Sequence, residues 1–92
     1  MLEELKIFWE EIQKIQDYAV NLSLSKASKY SSIEEQLNDI TYETIYRIME
    51  LLDGYKNESL KGIIIEKSSG KSINSDIDLH NFCEDFLKFS DV

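Results

Sequence analysis

Proline is absent from this chain, and glycine occurs only at Gly54, Gly62 and Gly70. Helices can therefore be broken only by those glycines and by side chains that compete for the backbone. Three scattered glycines cannot build a phosphate-cradling loop. The single cysteine, Cys83, excludes an internal disulfide framework and a paired-cysteine zinc pattern. One His, one Arg and one Cys leave few catalytic combinations, so no enzyme and no cofactor are expected. Apolar runs are short, none approaching the roughly 20 residues of a membrane span. Positive charge is scarce as well. Ten basic residues face eighteen acidic ones, for a net charge of −8. Nucleic-acid binding needs clustered Lys and Arg, and anionic lipid needs the same, so neither is an expected partner. The opening Met1, Leu2, Glu3, Glu4 puts acid where a signal peptide needs positive charge. A cytoplasmic chain is expected.

What is present suits one folded domain over residues 1–92, with 42% hydrophobic and 30% charged residues. Ile and Lys are abundant where Ala and Arg are rare, as in proteins of AT-rich bacterial genomes.

The spacing predicts a long amphipathic helix over residues 2–27. Leu5, Phe8, Trp9, Ile12, Ile15, Ala19 and Leu22 form its core stripe, while Ile7 and Tyr18 project from the far side. Ser32 and Glu35 have capping-box spacing and open a second helix that runs to Leu52 or Asp53, closed by Gly54. Its predicted core face is Ile33, Leu37, Ile40, Thr44, Ile48, Leu51 and Leu52. The β-branched run Ile63, Ile64, Ile65 followed by Ser68, Ser69 and Gly70 predicts a β-hairpin. In that register Ile65 lies opposite Ile73, Ile63, Ile65 and Ile73 share the core face, and Ile64 lies on the other. A last helix over residues 78–89 is expected, capped by Asp78, with Ile77 packing on Phe82 and with Phe82, Cys83 and Phe86 in its apolar stripe.

The fold class expected is thus α+β in the order α-α-β-β-α: two long antiparallel helices, a two-stranded β-hairpin and a C-terminal helix. The alternative is an all-α bundle with residues 63–74 as an irregular loop.

Asp76, Asp78, His80 and Glu84 are the one metal-like cluster, and its spacing reads as a loop acid, a cap and a surface histidine; no metal is expected. Cys83, on the apolar stripe, reads as an inert core thiol.

Most of the acidic excess lies within residues 31–60. Glu35, Asp39, Glu43 and Glu50 recur along the second helix on the side away from its aliphatic stripe, interrupted by Arg47, with Tyr42 and Tyr46 beside them. Aromatic anchors amid charge have the composition of a protein-binding surface. The expectation is a small acidic binding protein of inhibitor or immunity type. It would engage a basic, nuclease- or toxin-like partner through Glu35, Asp39, Tyr42, Glu43, Tyr46 and Glu50. The alternative is a self-associating structural or regulatory protein, a homodimer joined at its hairpin edges through Ile64.

Overall fold

The computed structural model describes residues 2–92. Helix α1 spans Glu3–Ser25 and α2 spans Ile33–Leu52. A 3-10 turn at Ala27–Lys29 lies between them. A second 3-10 turn follows at Glu58–Leu60, and a third, Leu79–Phe82, runs into the one-turn helix α3, Cys83–Phe86.

Helix α2 starts where the capping signal places it. The Ser32 hydroxyl accepts from the Glu35 amide at 3.1 Å, satisfying one of the free amides of the first turn. The reciprocal half of the capping box is not made. The Glu35 carboxylate instead accepts from the hydroxyls of Ser31 and Ser90, the latter at 2.9 Å. At the other end Gly54 adopts φ +86°, a left-handed conformation that glycine takes without strain, and its amide returns to the Leu51 carbonyl.

The connector folds α1 and α2 into an antiparallel hairpin and sets their rotation. Asp39 is buried and takes the Tyr30 hydroxyl, with the Lys26 ammonium 3.6 Å away. Gln36 donates to the buried Ser23 hydroxyl at 3.2 Å. These contacts turn the polar side of α2, not its aliphatic stripe, toward the connector. Ile33 is consequently 76% exposed and Leu37 56% exposed, and Trp9, expected in the core, is 57% exposed. The buried apolar side chains are Ile15, Ala19, Leu51 and Cys83, with Leu51 completely enclosed.

The predicted two-stranded hairpin does not form. Among the described residues there is no strand, and residues 63–74 carry one isolated antiparallel bridge, Ile65 to Ser72. The turn is wider than a three-residue loop. The Gly70 amide donates to the Glu66 carbonyl at 2.8 Å, and the Ser68 and Ser69 hydroxyls both donate to the Glu66 carboxylate. This moves the pairing by one residue, so that Ile65 meets Ser72 where Ile73 was expected. Buried Asn74 then ends the ladder. Its side chain accepts from the Ile64 amide at 2.7 Å and donates to the Gly62 carbonyl at 3.1 Å. A side chain thus satisfies the groups that a strand partner would have taken. Ile63, Ile65 and Ile73, the predicted core face, are exposed, and Ile64 is the least exposed of the three consecutive isoleucines. The fold is helical, with an irregular connection in place of the sheet, and α+β is corrected accordingly.

The C-terminal helix is also shorter than the apolar stripe predicts. Asp78 makes no cap hydrogen bond and is used elsewhere. Phe86 is 80% exposed, and Ile77 and Phe82 are exposed as well.

Candidate functional site

The six residues expected to bind a partner share one side of α2, and the C-terminal segment meets that side at Glu35, Tyr42 and Tyr46. Tyr42 stacks on Tyr46 with ring centroids 6.0 Å apart and packs on Phe89 at 4.9 Å. Burial pushes both hydroxyls up from the ordinary tyrosine range. Glu43 and Glu50 hold Arg47 between them, at 2.9 Å from Nε and 3.3 Å from Nη1. The guanidinium lies over the Tyr18 ring at 4.8 Å. Burial pushes Arg47 down, and the Glu43 carboxylate outweighs it and holds the guanidinium above its ordinary value. Asp39 is turned into the connector and Glu35 toward Ser90. Of the stripe expected to face solvent, only Asp39 is buried; the other five residues are half-buried, and the carboxylates of this polar seam are already partnered within the chain.

Below that seam is a centre that sequence reasoning missed. The Asp53 carboxylate, just past the end of α2, accepts from the Leu79 amide at 2.8 Å, the His80 amide at 3.0 Å and the His80 ring Nδ1 at 2.6 Å. Both side chains are buried, and the His80 ring meets the edges of Tyr46 and Tyr55 at 5.4 and 4.5 Å. Tyr55 in turn donates to Asp78 at 2.8 Å. Burial pushes the Asp53 carboxyl up, but hydrogen bonds from the His80 backbone and ring and from the Leu79 amide prevail and hold it below the ordinary carboxylate range. The metal-like cluster is thereby divided: His80 serves Asp53 and Asp78 serves Tyr55. Among the described residues no three His, Cys, Asp or Glu side chains group as metal ligands. Cys83 is buried, and burial together with the Asp53 charge pushes its thiol up, away from the reactive thiolate. This centre holds the C-terminal segment against α2. The only signal of it in the sequence was an acid at a helix end and a lone histidine.

Ile64 has no free backbone edge. Its amide is taken by Asn74 and its carbonyl by the Ile73 amide at 2.9 Å.

What the chain does leave open is the aliphatic side of the helical hairpin. A groove between α1 and α2 is lined by Trp9, Ile12, Gln13, Gln16, Thr44 and Ile48, none of them charged. Helical spacing carries the same side of α1 on to exposed Val20 and Leu24, and that of α2 to exposed Leu37 and Ile33.

No helix among the described residues is long and apolar enough to cross a membrane. No protein-family model matches the chain, and neither a curated protein nor a solved structure matches it.

Proposed function

We propose that this chain is a small cytoplasmic, non-catalytic protein-interaction module whose binding surface is the uncharged face of the α1–α2 hairpin. One observation carries the reading: Trp9, Leu37 and Ile33, each more than half exposed, lie along one side of two packed helices that none of the other described residues covers. Large apolar side chains exposed together along one side of a helix pair mark an interaction surface. A charge-free centre is the usual anatomy of the core of a protein interface.

Capture of a basic, nuclease- or toxin-like partner is the second reading, favoured by the net charge of −8. Such a partner would meet the outer acids, among them Glu34, Glu84 and Asp85, because the α2 stripe is occupied from within.

Trp9 is the only tryptophan, so its fluorescence reports on the face directly. At micromolar concentration an occupied face shields Trp9 from acrylamide, and the shielding is lost in Leu37→Glu. A free face binds anilinonaphthalenesulfonate, and that binding is lost in the same variant. A Trp9 that is open to quencher, in a protein that binds no dye, overturns the reading.

A further inference from the structure

The accessible surface is 6763 Å², where about 5,500 Å² is usual for a folded monomer of this mass. The radius of gyration is 15.1 Å against about 12 Å for a compact domain of this length. The excess of surface is larger than the roughly 800 Å² that one partner contributes to a stable interface of standard size. The groove on the open side of the hairpin has no carboxylate in its lining. A second copy brings another −8, so most approaches between two copies set acid against acid. Approach through Trp9, Gln13, Gln16, Leu37, Thr44 and Ile48 does not. A basic partner would gain nothing from charge at this face, whereas an identical face matches it in polarity.

Resting on the reading of this face as the binding surface, we propose that its occupant is the same face of a second copy, giving a two-fold symmetric bundle of four helices. Such an interface is isologous: each hairpin offers one patch and receives the same patch. Trp9 and Leu37 would pass from solvent to the bundle interior, with Gln13 and Gln16 available for hydrogen bonds across it.

Sedimentation equilibrium of the whole chain tests this, alongside Trp9 quenching over a dilution series. The expected result is a dimer at micromolar concentration whose Trp9 becomes accessible to acrylamide in step with the monomer fraction. Leu37→Glu should weaken the dimer by about 30-fold or more, because it buries a carboxylate among apolar groups, with the helical circular dichroism retained. If Leu37→Glu does not fold, the wild-type dilution series decides alone, and a Trp9 accessibility that ignores dissociation overturns the proposal. A strict monomer that binds anilinonaphthalenesulfonate at Trp9 overturns the second copy and leaves the face as a surface for a different protein. A dimer indifferent to Leu37→Glu but dissociated by Ile64→Lys overturns both, placing the contact at residues 63–74.

Discussion

His80 Nδ1 lies 2.6 Å from the Asp53 Oδ2 atom, and the Asp53 side chain is almost completely enclosed. The same carboxylate collects the amides of Leu79 and His80, so one side chain at the end of α2 fixes the start of the C-terminal segment. A buried carboxylate with three donors is stabilising only as a set. Removing it leaves buried donors without an acceptor.

Asp53→Ala is therefore expected to destabilise the protein by about 2–4 kcal/mol, read as a lower urea midpoint with an unchanged slope. His80→Ala, at a residue the sequence alone reads as a surface histidine, should also lower the midpoint, because it removes the ring from between Tyr46 and Tyr55 and leaves the carboxylate short of a donor. A midpoint unchanged in both variants would show that the segment does not depend on this pair.

The pH dependence follows from the same group. Asp53 titrates lower in the folded chain than in the unfolded one. Between those two values the unfolded state binds more protons, so stability rises with pH there. The contribution is complete above the unfolded value of about 3.9 and is lost as pH falls through the lower folded value. Urea midpoints measured from pH 6 down to pH 3 should fall in the acid range for the wild type and less steeply for Asp53→Asn. Parallel curves would mean that the carboxylate is not the group responsible.

Two apolar truncations separate the observed packing from the one the stripe of the last segment suggests. Leu51 is 0% exposed, and Leu51→Ala should cost about 2–5 kcal/mol. Phe86 is 80% exposed, and Phe86→Ala should change stability by no more than about 0.5 kcal/mol. Thermal melts of the two variants give the ranking. A large loss in Phe86→Ala would show that this ring is covered in solution.

Charge reversal on α2 should act on stability. Glu35→Lys, Asp39→Lys and Glu43→Lys together break the Ser90 contact, bury an ammonium beside Lys26 and Tyr30, and release Arg47. Burying an unpaired charge at Asp39 alone is expected to cost about 3–5 kcal/mol. Denaturation of Asp39→Lys by itself checks the point. An unchanged midpoint would return the stripe to the surface and to partner binding.

The sequence by itself determined the two long helices. Apolar spacing over Glu3–Ser25 and Ile33–Leu52 needs only local periodicity, and Ser32 and Gly54 mark the ends of α2 through bonds within a few residues. It also determined which residues share a face, as in Arg47 with Glu43. Only the tertiary structure decided which face turns inward. Period places Ile33 and Leu37 on the same stripe as Leu51, but with Asp39 turned to Tyr30 and Lys26 of the connector the Ile33 and Leu37 end of the stripe is left outside, while Leu51 at the other end is fully buried. The β-branched run Ile63, Ile64, Ile65 carries strand propensity, which is realised only when a partner strand satisfies its backbone; Asn74 takes that place with a side chain. Asp53 and His80 are 27 residues apart, a separation that no local pattern spans, and their pairing exists only because the chain returns to the end of α2.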